Sequence, residues 1–148
     1  MNVVVLDPLN GAPPEPDWFV ELPGRSKSVQ ADRVKASAYW GTVVRELQSA
    51  NKLAAANAHS IKRLVHAWII WDRAAFQVAR YGAIVPAPKT KTPMHNPWHA
   101  AMLQAGKMAS MIETELSINP ANRSKGGTVP KPPRPASPAD QFLNKKDK

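Results

Sequence analysis

Ile61-Lys62-Arg63-Leu64-Val65-His66-Ala67-Trp68-Ile69-Ile70-Trp71-Asp72-Arg73-Ala74-Ala75-Phe76-Gln77-Val78 repeats its apolar side chains at the spacing of an α-helix. Ile61, Leu64, Val65, Trp68, Trp71, Ala75 and Val78 fall on one stripe. Neither Pro nor Gly interrupts the chain from Ala54 to Tyr81, so the pattern predicts one helix over 54–81, about 40 Å long. Gly82 stands where a C-terminal cap is needed, and Arg80 lies favourably in the last turn. Ile69, Ile70 and Phe76 lie outside the stripe. A helix apolar on more than one side needs cover on more than one side. Two partner helices in 148 residues supply little of it, so self-association is the expected cover.

A first helix is predicted over 31–51, with Trp40, Val43, Val44 and Leu47 on one face and Val34 and Ala36 behind them. Arg33, Lys35, Arg45 and Gln48 occupy the opposite face. Gly41 weakens its middle by about 1 kcal/mol relative to Ala. Residues 83–96, with Pro86, Pro88 and Pro93, read as an extended connector. Asn96-Pro97 opens a third helix, Asn as N-cap and Pro at the first helical position. Trp98, Ala101, Met102, Ala105, Met108, Ala109, Ile112 and Leu116 give it an amphipathic pattern that stops before Asn119-Pro120.

The expected organisation is therefore an all-α core over 31–123 between a Pro-rich N-terminal arm (1–30) and a basic tail (124–148). In the arm, Gly11-Ala12-Pro13-Pro14-Glu15-Pro16 is non-helical, since each Pro pushes its predecessor out of the α region. Trp18 and Phe19 are expected to pin the arm to a neighbouring surface. The tail is too poor in apolar residues to fold alone.

The net charge of +9 is unevenly placed. Residues 1–24 hold Asp7, Glu15, Asp17 and Glu21 and no Lys or Arg, whereas residues 25–91 hold twelve basic and three acidic groups. Residues 123–148 again hold seven basic groups against two acidic. A middle and tail of this kind attract a polyanion and release its counterions on contact. With no cysteine, the chain has neither disulfides nor thiolate chemistry, and a reducing compartment suits it. No apolar run is long enough to span a membrane, and Met1–Asp7 lacks the features of a secretory signal.

Catalytic and cofactor constellations are wanting. His95 and His99 are four apart, but His95 precedes the helix cap and neither Cys nor carboxylate completes a metal set. His59 and His66 flank the apolar stripe. No phosphate-cradling glycine motif is present. Asp72 reads as half of an intersubunit ion pair rather than a general acid. The expectation is a non-enzyme with no cofactor, no metal and no small-molecule substrate.

Several pieces, in order, carry a family likeness: Pro13-Pro14; Ala38-Tyr39-Trp40 with Val43-Val44-Arg45-Glu46-Leu47; Ala67-Trp68 and Trp71-Asp72-Arg73-Ala74; Tyr81-Gly82-Ala83-Ile84-Val85; Asn96-Pro97-Trp98; and Ile118-Asn119-Pro120-Ala121-Asn122-Arg123. Over residues 12–125 this series resembles the small terminase subunit of tailed bacteriophages, in the group with a Pro-rich segment before a three-helix core. Two departures stand out. Leu53-Ala54-Ala55-Ala56-Asn57 lacks the family's Thr cap and Asp before the long helix, and Ile118-Asn119 replaces the commoner Leu-Thr.

The resemblance implies a non-enzymatic DNA-packaging factor in the cytoplasm of the infected bacterial host. Such proteins assemble into rings, recognise double-stranded viral DNA at the packaging site, and load or stimulate a large subunit that holds the ATPase and nuclease. On that basis Trp68, Ile69, Ile70, Trp71 and Phe76 are expected at the core and oligomer seam. Arg25, Lys27, Arg33, Lys35, Lys52, Lys62 and Arg63 are expected on DNA phosphates, joined without sequence preference by Arg123, Lys125, Lys131, Arg134, Lys145, Lys146 and Lys148. Phe142 and Leu143 are the expected docking pair for the large subunit. An oligomeric helical adaptor without specific DNA recognition is the competing reading. A monomeric helix-turn-helix regulator fits less well, because both early helices are long.

Overall fold

Three long helices, α2 (Lys27–Ser49), α3 (Ala58–Tyr81) and α4 (Pro97–Glu115), make up most of the computed structural model, which describes residues 11–120. A single helical turn, α1 (Trp18–Glu21), precedes them, and a 3-10 turn at Ala55–Asn57 leads into α3. Two short strands, β1 (Ile84–Pro86) and β2 (Pro93–His95), pair antiparallel between α3 and α4, with Val85 opposite Met94. The connector is extended as expected. Its pairing was missed, because three-residue strands holding Pro86 and Pro93 give little periodicity to read.

Local chemistry sets the helix ends. Ser26 accepts the Val29 N–H at 3.3 Å, so α2 starts four residues before the predicted Ala31. Asp17 caps α1 through the Phe19 N–H at 2.9 Å. Asn96 caps α4 through the Trp98 N–H at 3.0 Å, with Pro97 at the first helical position as predicted. No side chain caps α3, which follows from the missing Thr: Asn57 sits in helical backbone at its N-cap and the 3-10 turn winds directly into the helix. Gly82 ends α3 at φ 85°, a conformation L side chains rarely adopt, and its N–H returns to the Val78 carbonyl.

The central helix α3 is flanked by α2 and α4, each antiparallel to it. Pairs joining Asp32 to Arg73 and Lys35 to Asp72 fix the direction of α2, and Trp68 bonded to Glu113 with Trp71 against Gly106 fixes that of α4. The core gathers Ala36, Trp40, Val43 and Leu47 from α2, Ile61, Leu64, Val65, Ala67 and Ile69 from α3, and Ala109, Ile112 and Leu116 beside α3. Trp18 and Leu22 belong to the same cluster, Trp18 meeting the Trp40 ring edge-on at 6.3 Å. The arm is thus pinned by Trp18 and Leu22. Phe19, expected to share that role, is exposed, as is Val34, whose helical position turns away from the α2 core stripe.

Candidate nucleic-acid and assembly surface

The apolar residues of α3 divide between interior and surface. Ile69, expected at the core and oligomer seam, is only 1% exposed and belongs to the protomer's own core. Trp68 is half-buried: its indole N–H bonds the Glu113 carboxylate at 3.1 Å and its ring meets Tyr39 edge-on. Ile70, Trp71 and Phe76 stay on the surface at 45%, 44% and 61% exposure. Trp71 lies against Gly106 of α4, where a Cβ would come 3.5 Å from the indole. Phe76 and Trp98 line an open groove of about 490 Å³ between the first turns of α2 and the last turns of α3. Met108, Met111 and Leu103 add exposed apolar groups on α4. The flanking helices therefore cover most of α3 and leave apolar ground at its margins.

The basic residues of the predicted DNA set are divided as well. Arg33 donates to the carbonyls of Leu22 (2.7 Å) and Gly24 (2.7 Å), and its guanidinium lies over the Phe19 ring at 4.4 Å. It holds the arm to α2. Lys62 is paired with Glu21 at 2.9 Å, and Lys35 with Asp72 at 3.2 Å. Lys52 is buried at the corner between α2 and the 3-10 turn. Arg25, Lys27 and Arg63 are exposed and make no ion pair among the described residues. They do not form one cluster. Arg25 and Lys27 lie at the start of α2, beside the end of α3, whereas Arg63 lies near the start of α3. The tail residues Arg123, Lys125, Lys131, Arg134, Lys145, Lys146 and Lys148, and the pair Phe142 and Leu143, lie outside the described residues.

Asp72 is corrected from an intersubunit partner to a buttress within the protomer. It accepts from both Lys35 and the Tyr39 hydroxyl (2.8 Å), because α2 and α3 run antiparallel at this level. Burial, with the adjoining Asp72 carboxylate, pushes the Tyr39 hydroxyl up to about 12, so it stays a donor at all ordinary pH. Glu21 is held below the usual carboxylate range by its hydrogen bond from Lys62, against an opposing effect of burial and with a further bond to His66 at 3.3 Å. His66 also meets the Trp18 ring edge-on, so this histidine helps seat the arm. Among the described residues no group of His, Asp and Glu is arranged to hold a metal ion, and no helix is long and apolar enough to cross a membrane.

These features define a class: a helical protein whose accessible chemistry is exposed apolar ground and uncompensated positive charge. A family model described as "Phage terminase, small subunit" matches residues 36–132, well over half of the chain. The chain belongs to that family. No curated protein and no solved structure matches it significantly.

Proposed function

We propose that this protein is the non-enzymatic small subunit of a phage terminase: a homo-oligomeric ring that recognises viral double-stranded DNA at the packaging site and recruits or regulates the large ATPase and nuclease subunit. Family membership is the observation that carries this reading. The exposed Ile70, Trp71 and Phe76, with Trp98 beside Phe76, support a seam between copies, since an apolar surface of this kind marks an interaction site. Arg25, Lys27 and Arg63 support phosphate contact, being exposed cations with no ion pair among the described residues. The tail cations from Arg123 to Lys148 would add affinity independent of sequence. Phe142 and Leu143 are the proposed dock for the large subunit. The site of action is the cytoplasm of the infected host.

Two measurements on the full chain test the reading. Light scattering coupled to size exclusion should give a mass several times that of one chain, and a well-folded monomer at micromolar concentration would refute the ring. Duplex binding should weaken steeply with salt and favour DNA from the packaging region over random DNA. An oligomer that binds both equally, with a flat salt response, would be an adaptor instead.

A further inference from the structure

From Arg73 to Ile112 the chain contains neither Asp nor Glu. This span forms the last third of α3, the β1–β2 hairpin and most of α4, and the end of α3, the hairpin and the start of α4 meet at one end of the bundle. Arg73 is neutralised from outside the span by Asp32, at 2.7 Å. Arg80, Lys89 and Lys91 are exposed and have no acidic partner among the described residues. Arg80 only overlies the ring of its neighbour Tyr81, at 5.4 Å. The antiparallel α2 brings its first turns, with Lys27 and the preceding Arg25, to this same end. Of the other cations of α2 and the first half of α3, Arg33, Lys35 and Lys62 are engaged internally, whereas Arg45 and Arg63 are exposed and make no ion pair among the described residues.

The hairpin that carries Lys89 and Lys91 is built rather than loose. Asn96 is almost fully buried at its base, where its amide donates to the Gly82 carbonyl at 2.8 Å while its backbone N–H bonds the Ala83 carbonyl. At the other end, the Ala87 N–H bonds the Thr92 carbonyl, the Lys91 N–H returns to Ala87, and the Thr90 and Thr92 hydroxyls share a bond of 2.7 Å. Lys91 itself is held at φ 58°, a conformation that non-glycine residues adopt only where the surroundings impose it. The tip is therefore a fixed support for two exposed ammonium groups that pair with no carboxylate among the described residues.

We propose that the β1–β2 hairpin is a second DNA contact, a basic finger in which Lys89 and Lys91, backed by Arg80, engage duplex phosphates. A two-stranded ribbon is narrow enough to enter the major groove, and lysines bind the phosphates along its edges as point charges. The proposal rests on the DNA-binding reading above, and the experiment separates the two. Full-length wild type is compared with a Lys89→Gln/Lys91→Asn double variant, Asn being chosen because it tolerates the left-handed backbone at position 91. A Lys89→Arg/Lys91→Arg variant retains the charge. The probe is a random-sequence DNA duplex titrated at several salt concentrations, with melting curves and light scattering confirming that fold and assembly are unchanged.

Each phosphate neutralised contributes about 0.9 to the slope of log affinity against log salt. The neutral variant should lose a slope of about 1.8 for every hairpin on the duplex, and roughly tenfold or more in affinity near 0.1 M salt, while the arginine variant keeps both. A steep wild-type slope that the neutral variant leaves unchanged would overturn the finger and spare the DNA reading. A wild type with no salt-dependent binding would overturn both. Loss of large-subunit binding with unchanged DNA affinity would make the hairpin a protein-docking element and likewise overturn the proposal.

Discussion

Gly41 lies near the middle of α2, where a glycine is out of place on helix propensity alone. A Cβ built there meets only the Arg45 guanidinium at 3.8 Å, the far end of a flexible side chain on the same helix. Among the described residues nothing else outside the helix's own backbone comes within ordinary contact distance, and the backbone φ is one that alanine adopts freely. Gly41→Ala should therefore stabilise the folded chain by the propensity difference, about 1 kcal/mol. For a folded unit of this size that corresponds to a melting temperature higher by roughly 4–6 °C, or a urea midpoint higher by about 0.5 M. The assay is urea unfolding followed by circular dichroism, with both proteins at one fixed concentration because assembly shifts apparent stability. A destabilised variant would refute the reasoning at its premise, since some group must then approach Gly41 more closely than the protomer shows. If that loss came with a smaller oligomer, the group would belong to a neighbouring copy and the glycine would be an intersubunit contact.

The division of the α3 surface predicts a contrast: Ile69→Ala should cost about 3 kcal/mol of stability by opening a cavity, whereas Phe76→Ser should change it by less than about 0.5 kcal/mol yet reduce the assembled mass. Equal unfolding midpoints for the two would contradict their placement. Arg73→Ala leaves the buried Asp32 carboxylate without its partner and should destabilise by about 2 kcal/mol, discounted from a fully buried pair because Arg73 is 43% exposed on its side chain. Adding Asp32→Ala should recover part of that loss in the same urea assay, and a strictly additive double variant would deny the coupling. Because the folded state depresses the Glu21 carboxyl, its ionised form stabilises the fold above the unfolded-state value near 4.5 and that contribution fades as pH falls through the lower folded value. Glu21→Gln should accordingly narrow the stability difference between pH 6 and pH 3.5 by up to about 1 kcal/mol, and an unchanged difference in urea midpoint would show the Lys62 pair to be silent.

Features set by neighbours in sequence were legible without coordinates. Asn96-Pro97 specified the start of α4 because a cap and a ring-fixed φ act over two or three residues. Gly82 specified the end of α3 because only its own backbone must turn. The stripe of Ile61, Leu64 and Val65 pointed inward because helical period is a local property, and the ordered motifs that identify the family are themselves local strings. The missing side-chain cap of α3 was likewise visible in Ala54-Ala55-Ala56-Asn57.

What depended on distant partners was not. Ile69 and Ile70 are adjacent and chemically identical, yet one is core and the other surface; the difference lies in how α2 and α4 are disposed about α3. Lys35, Lys62 and Arg33 read as available cations until the antiparallel packing of α2 on α3 brought Asp72 to Lys35, and the folded-back arm brought Glu21 to Lys62 and the Leu22 and Gly24 carbonyls to Arg33. Lys89 and Lys91 looked like linker charges until a two-stranded pairing fixed them on a finger. Composition and period determine which faces must be hidden, since burying apolar surface depends on what a residue is. Which charges remain open to a partner is decided by tertiary structure, since an ion pair depends on where two residues far apart in the chain come to rest.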